Sequence, residues 1–132
     1  MSLTELQIEK ASQWAADFWA DKLQKGDKEK FHEILKAKII EEFKKEDGRL
    51  NIENDYDPQG ILLDAVREIG IDCQGFFFSG NGIFPRKHST DFHQDKNGNL
   101  ICSPKEGYGN FLEIIVFEKI DHDLISTTSN SY

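Results

Sequence analysis

Two aspartates near the middle of this chain of 132 residues are the first candidates for chemistry. Asp55 and Asp57 lie two residues apart in the segment 54–57, and carboxylates are ligands that Mg²⁺ prefers in proteins. A strand is predicted to end here and a helix to begin, which is a common place for ligands in α/β proteins. The same residues also suit a turn and a helix N-cap. The sequence therefore leaves a metal-binding and a structural interpretation open.

The second candidate is the loop 79–89, which combines glycines with the neighbouring residues Arg86, Lys87 and His88. Its glycine spacing matches neither the phosphate-binding loop nor the dinucleotide-binding motif. It is nevertheless the most basic stretch of an acidic chain, so we expect these three residues to contact something negatively charged. An ordinary connecting loop with a basic rim is the alternative.

The third candidate is the tight loop 105–110, in which Tyr108 lies between two glycines. An aromatic side chain in such a loop is either held out for recognition or packed onto the core. We therefore name Tyr108 as a predicted partner or ligand contact, together with Arg86, Lys87 and His88.

Cysteine and histidine residues raise the question of a metal site. Cys73, His88, His93 and Cys102 are of the right types for zinc, but their spacing matches no familiar finger or ribbon. His93 alternates with Phe92 in a predicted strand and can simply face solvent. We therefore expect no metal and no other cofactor. The two cysteines are interpreted as buried free thiols, with a disulfide between them as the alternative.

The bulk composition limits the class of protein. A chain of this length with ten Phe, three Tyr and two Trp can bury one core without disulfides or metals. A net charge of -8 argues against nucleic acid as a partner and is compatible with a basic protein surface as partner; the alternative is that the charge merely keeps a small protein soluble. No apolar segment approaches the roughly 20 residues that cross a bilayer, and the N-terminus lacks the pattern of a signal peptide. We therefore expect a cytoplasmic protein that does not contact membranes.

The N-terminal part predicts a pair of helices. Apolar residues recur at helical spacing over residues 2–24, with a capping box at residues 2–5. A second helix is predicted from Lys28 to about Lys45. Its apolar positions are four residues apart: Phe31, Leu35, Ile39 and Phe43. We expect the two helices to form an antiparallel hairpin.

The middle of the chain predicts a strand, a helix and a second strand. Residues 50–53 alternate between apolar and polar side chains, as in a half-buried strand. Asp57 and Pro58 are predicted to be the N-cap and the first residue of the helix, and Gly70 its C-terminal cap. The apolar run 75–80 is typical of a strand buried on both faces.

Turns and strands are predicted for the rest of the chain. Residues 90–94 and 100–103 flank a turn that contains glycine, which predicts a β-hairpin. Residues 111–118 are rich in β-branched and aromatic side chains, which predicts a central strand. Residues 121–132 are expected to form a polar, disordered tail. Residues 1–120 should then form a single α+β domain: an N-terminal helical hairpin, a β-α-β unit and a mainly antiparallel sheet.

Three blocks of the chain resemble small uncharacterised phage and prophage proteins. They are DYDPQGILLDAV at 55–66, GIFPRKHS at 82–89 and KEGYGN at 105–110. The resemblance covers roughly residues 8–118 and brings no established catalytic residues. It implies a context, because small acidic phage proteins often act by binding a host protein, including components of host defence.

The sequence therefore predicts a binding module that recognises a host protein or a small anionic ligand through its glycine-rich loops. One alternative is a hydrolase or nuclease-like enzyme, with a divalent metal on Asp55 and Asp57 and with His88 or Lys87 as acid or charge stabiliser. A second alternative is a structural protein that oligomerises through an exposed sheet edge. The loop-based hypotheses require the loops to converge in space.

Overall fold

The computed structural model of the protein describes residues 3–24, 26–46, 48–55, 57–70, 87–107 and 111–119. These residues form three helices and five strands in the order α1 (Glu5–Lys22), α2 (Lys28–Glu46), β1 (Leu50–Asp55), β2 (Asp57–Pro58), α3 (Gly60–Glu68), β3 (Lys87–Gln94), β4 (Leu100–Glu106) and β5 (Ile115–Phe117). The strands form one sheet in the order β2-β1-β3-β4-β5, and all neighbouring strands are antiparallel. The predicted α+β class is confirmed.

Helix α1 begins with a capping box two residues later than predicted. The backbone N–H of Gln7 donates to Oγ1 of Thr4 at 3.1 Å, and the backbone N–H of Thr4 donates to Oε1 of Gln7 at 2.9 Å. The prediction of the box at residues 2–5 is wrong, although both segments fit the pattern of Ser or Thr followed three residues later by Glu or Gln. The later start is favoured because the sheet also binds the Gln7 amide.

The predicted helical hairpin is confirmed. The side-chain contacts Asp17–His32 (2.6 Å) and Glu9–Lys36 (2.5 Å) run in opposite chain directions, so α1 and α2 are antiparallel. The apolar residues of α2 named from their spacing are all at most 1% exposed: Phe31, Leu35, Ile39 and Phe43. The spacing of four residues therefore identified the buried face of α2 correctly.

Helix α1 packs on one face of the sheet through buried polar contacts as well as apolar ones. Nε1 of Trp19 donates to Oγ1 of Thr90 on β3 at 3.2 Å. Nε2 of Gln7 donates to the backbone oxygens of Gly98 (3.0 Å) and Phe117 (2.9 Å). Because these groups are buried, each hydrogen bond offsets a desolvation cost that would otherwise oppose folding.

The predicted N-cap at Asp57 and helix start at Pro58 are wrong. The chain reverses directly after β1, so that these two residues form β2 and pair back onto β1. Pro58 is buried in this edge strand, where a missing N–H is tolerated. The backbone N–H of Gln59 donates to the carbonyl of Glu53 at 3.1 Å, and α3 begins only at Gly60. The reversal therefore delays the helix by two residues.

The predicted β-hairpin is confirmed and is longer than expected. Strands β3 and β4 pair over seven positions, from His88 with Glu106 to Gln94 with Leu100. The turn is closed by a hydrogen bond from the backbone N–H of Asp95 to the carbonyl of Asn99 at 2.9 Å. This hairpin forms the centre of the sheet.

The prediction of a central strand at residues 111–118 is wrong. Strand β5 contains only Ile115–Phe117, and it is the last strand of the sheet in the part of the chain that the structure describes. Phe111 forms an isolated bridge with Lys105 of β4, separate from the β5 ladder. The segment therefore lies along an edge of the sheet.

An extra residue interrupts the pairing of this segment with β4. Between the isolated bridge and the first β5 pair, β4 advances by three residues (102 to 105), whereas the last segment advances by four (111 to 115). Pro104 lies within this interval and has no N–H to donate, although its carbonyl accepts a hydrogen bond from the N–H of Leu112 at 3.0 Å. The missing donor and the extra residue together prevent a continuous strand.

Two predicted segments, the strand at 75–80 and the tail at 121–132, lie outside the described residues. The proposed division into a domain at 1–120 and a tail stays a prediction. Among the helices that the structure describes, none is long and apolar enough to cross a membrane.

We expect Gln7→Ala to lower the free energy of unfolding by about 2–4 kcal/mol, because it removes a cap and leaves two buried carbonyls without their donor. Urea denaturation followed by circular dichroism measures this change. Gln24→Ala, at an exposed position just beyond α1, is the matched control and should cost less than about 0.5 kcal/mol. Equal costs for the two variants would show that the Gln7 amide does not connect α1 to the sheet.

Candidate functional site

The described ends of the three predicted loops converge at one end of the sheet. Asp55 on β1 is the cross-strand partner of Lys87 on β3, and His88 is the partner of Glu106 on β4. The backbone N–H of Gly107 donates to the carbonyl of Lys87 at 2.6 Å. We call these five residues the loop end. The convergence that the loop-based hypotheses require is therefore present at the strand ends.

Lys87 lies between carboxylates of the neighbouring strand. Its Nζ is 3.1 Å from Oε2 of Glu53 and 3.5 Å from Oδ2 of Asp55. The hydrogen bond to Glu53 and the negative charges of both carboxylates raise the pKa of Lys87, against a smaller opposing effect of desolvation. Within the described residues, the charge of Lys87 is thus balanced inside the sheet, which weakens the predicted basic rim.

His88 lies in the interior. Its side chain is only 2% exposed, and its ring meets the ring of Trp19 edge-on with the centroids 6.2 Å apart. A buried ring offers no surface to a partner. Neighbouring strand residues point to opposite faces, so His88 and Lys87 lie on opposite sides of the sheet. Asp55 shares the side of Lys87, and the enzyme hypothesis therefore combines two groups that the sheet separates.

Asp55 and Asp57 are cross-strand partners of the short β1–β2 hairpin. Asp57 is exposed, and Asp55 is engaged with Lys87. Within the described residues, no group of three or more His, Cys, Asp or Glu side chains is arranged to hold a metal ion. The two aspartates therefore act as residues of a tight chain reversal in this structure.

Two of the zinc ligands considered from the sequence, His93 and Cys102, lie on opposite faces of the sheet. His93 is exposed and pairs with Ile101, whereas the buried Cys102 pairs with Phe92, and adjacent pairs lie on opposite faces. Burial raises the pKa of the Cys102 thiol, and the carboxylate of Asp91 raises it further. Cys102 is therefore an unreactive, structural thiol. Cys73 lies outside the described residues.

Arg86 and Tyr108 also lie outside the described residues, so their predicted contacts with a partner stay predictions. Both residues adjoin the loop end in sequence. Lys87 is the one residue of the predicted contact set that is described and not buried.

A second candidate surface lies along β5, at the edge of the sheet opposite to β2. Large apolar side chains are exposed there by 39–59% of their area, and they are the exposed large hydrophobics of the described chain: Phe111, Leu112, Ile114 and Val116. We call these four residues the edge surface. Nζ of Lys105 lies 4.5 Å from the centre of the Phe111 ring, which holds this ring against β4. Apolar side chains concentrated in six consecutive residues are typical of an interaction site.

A groove of about 660 Å³ adjoins the edge surface on the side of the helices. It lies between α1 and the segment 111–115 and has these lining residues: Gln13, Trp14, Asp17, Pro104, Leu112, Glu113 and Ile115. We call it the edge groove. The Trp14 ring stacks on Phe18 with the centroids 5.3 Å apart and meets Phe92 edge-on at 6.5 Å. These aromatic contacts fix one wall of the groove in place.

The sequence contains signals for this edge that the prediction of a central strand overlooked. Glu113 interrupts the apolar run, and Glu118 and Lys119 follow it; charges at such positions are typical of edge strands. Pro104 in the preceding strand also indicates an interrupted or outer ladder. The groove itself could not be recognised, because its two walls are about ninety residues apart in the chain.

Comparison with known proteins identified no relative of this chain. No family model, curated protein or solved structure matches the chain.

We expect Lys87→Met to lower the free energy of unfolding by at most about 1 kcal/mol at neutral pH, because the side chains in the ion pairs are 28–32% exposed and are partly screened by solvent. Since the folded-state pKa is raised above 10.5, the stabilisation is fully present below that pH and is lost as the pH rises through the folded-state pKa. The difference in unfolding free energy between wild type and variant should therefore shrink above about pH 10.5. Urea denaturation across this range, with the exposed Lys96→Met as control, checks the sign; a difference that grows with pH would contradict it.

Adjacent substitutions in β5 test its position at the edge. Ile115 is 6% exposed, so Ile115→Thr should lower the free energy of unfolding by about 2 kcal/mol or more. Val116 is 47% exposed, so Val116→Thr should change it by less than about 0.5 kcal/mol. Thermal and urea denaturation of both variants make the comparison. Similar losses in both variants would mean that β5 is covered on both faces.

Proposed function

We propose that this chain is a small, acidic, cytoplasmic protein-binding module whose docking site is the edge surface with the adjoining edge groove. The observation that carries the proposal is the concentration of all exposed large hydrophobics of the described chain in residues 111–116. Exposed apolar side chains are costly for a protein in water unless a partner covers them. Their arrangement along a sheet edge suits an extended segment of another protein.

The geometry of the edge supports an added segment. Strand β5 pairs with β4 on one side, and in the described part of the chain no strand pairs with its other side. A segment added there can place alternate side chains on the edge surface. The edge groove, beside it, provides a recess for a larger side chain.

The loop end supports the other hypotheses less well. Its described cation, Lys87, is engaged by Glu53 and Asp55, and its histidine is buried. An enzyme that needs Asp55 and His88 together would have to act across the sheet. The binding hypothesis is therefore retained, but its surface moves from the glycine-rich loops to the sheet edge.

The resemblance to phage and prophage proteins suggests what kind of partner such a module would meet. A host protein with an exposed extended segment is consistent with that context, and it is the partner class we propose. Self-association through the same edge is the competing outcome, which sedimentation velocity of the purified protein distinguishes.

The proposal is tested with a displayed library of random twelve-residue peptides. We expect the wild-type protein to enrich a peptide family, and the double variant Ile114→Thr with Val116→Thr to lose about 90% or more of that binding, because interface energy is concentrated in a few apolar side chains. The variant should keep its free energy of unfolding within about 1 kcal/mol, because both positions are exposed and Thr suits strands.

The control variant carries Glu41→Gln and Asp64→Asn, two exposed positions on α2 and α3. It should bind the enriched peptides as the wild type does. If the edge variant retained the enriched peptides while folding normally, or if no peptide family were enriched, the edge surface would not be a protein-binding site.

A further inference from the structure

We propose that the occupant of the edge groove is an extended basic segment of a partner protein, with one apolar side chain in the groove and Lys or Arg residues on either side of it. The inference rests on the proposed function, because it names the chemistry of the partner for the same surface. It follows from the lining of the groove, from its charges and from the net charge of the chain.

The walls of the groove select an apolar anchor. Trp14, Leu112 and Ile115 present ring and aliphatic surface, and Pro104 closes the floor without an N–H group. Trp14 is half-buried and is held by its contacts with two Phe rings, so the groove does not need to reorganise when a side chain enters. A preformed apolar recess is a typical site for an anchoring aliphatic or aromatic side chain.

The charges at the rim of the groove favour basic residues on either side of the anchoring side chain in the partner segment. The described lining residues include two carboxylates, Asp17 and Glu113, and no Lys or Arg. The Asp17 side chain is 60% exposed, although its Oδ1 also accepts a hydrogen bond from Gln13 and contacts the ring of His32. Glu113 is exposed at the other wall. The carboxylates thus flank the apolar recess from α1 and from the edge segment.

The nearby lysine does not neutralise this rim. Lys105 lies over the ring of Phe111. Its cross-strand partner is Ser89, which alternates along β3 with the inward-facing residues His88 and Thr90. Lys105 therefore lies on the face of the sheet opposite to the helices. The edge groove lies on the helix side. The two faces of the edge therefore differ in charge, with acid at the groove and base outside it.

The net charge favours a basic partner over a second copy of this chain. Each copy carries a net charge of -8, so two copies repel one another at low ionic strength, whereas a basic segment is attracted. The edge segment of a second copy would also bring its own Glu113 and Glu118 to an acidic rim. Charge complementarity thus selects the basic segment as the occupant.

Synthetic peptides test the inference directly. The probe is the blocked peptide Lys-Thr-Lys-Val-Leu-Val-Lys-Thr-Lys, and its two comparison peptides have Glu in place of every Lys, or Ser in place of Val and Leu. Binding is followed through tryptophan fluorescence, since Trp14 lines the groove and the peptides contain no tryptophan. We expect both comparison peptides to bind at least about tenfold more weakly than the probe, one through charge reversal and the other through loss of the anchor.

Variants of the protein test whether the two rim carboxylates cause the preference for the basic peptide. Asp17→Asn with Glu113→Gln should weaken binding of the probe about three- to tenfold, which is the range for two partly exposed charge pairs. The matched control, Glu41→Gln with Asp64→Asn, removes the same two charges elsewhere and should change binding less than about twofold. Raising the ionic strength from about 0.05 M to about 0.5 M should weaken the wild type and reduce the difference between the two proteins.

The contrary results distinguish failure of the basic partner from failure of the proposed function. Equal binding of the Lys and Glu peptides, or equal loss in the rim variant and its control, would overturn the basic partner and leave the edge surface as a binding site for other segments. A dimer in sedimentation that the edge variant converts to monomer, without binding of any peptide, would identify a second copy as the occupant. If the displayed library showed no enrichment that depends on the edge surface, the proposed function itself would fail.

Discussion

The amide of Gln7 is the contact on which the relation between the helices and the sheet depends. Its oxygen accepts from the N-cap of α1, and its nitrogen donates to the carbonyls of Gly98 and Phe117. One buried side chain therefore starts the helix, holds the β3–β4 turn and positions the end of β5. Gln7 is 1% exposed, so losing any of these partners would leave a polar atom in a dry interior. The Trp19–Thr90 hydrogen bond fixes the other end of α1 in the same way.

The edge groove is a consequence of this attachment. With both ends of α1 fixed to the sheet, Trp14 in the middle of the helix is held above β4, and the segment before β5 forms the facing wall. A continuous strand at 111–117 would carry its side chains alternately to the two faces and could close against the helix. The extra residue opposite Pro104 prevents this, so that Leu112 borders the groove and Phe111 lies on the other face with Lys105.

The contrast between α2 and the last segment shows which parts of this fold the sequence could predict. The four apolar residues of α2 repeat with the helical period, and the period alone identifies the buried face. Residues 111–117, apolar except for Glu113, show no period, because some side chains pack in the core and others lie on the surface. The apolar composition then predicts a buried central strand. The position of this segment at the edge depends on the strand order, which the composition does not contain. The same limit applies to Asp57 and Pro58, whose helix-start pattern is overruled by pairing with β1.

The loop end and the edge surface differ in how far their side chains are already satisfied by neighbouring residues. At the loop end, Lys87 is balanced by Glu53 and Asp55, and a satisfied cluster gains little from an added ligand. At the edge surface, the apolar groups stay exposed within the described part of the chain, and exposed sheet edges of this kind promote association. Charged residues within and after the apolar run, Glu113, Glu118 and Lys119, limit unspecific pairing along the edge. In the proposed docking mode, the acidic residues beside the apolar recess limit unspecific pairing and favour a basic segment, since they repel an acidic one.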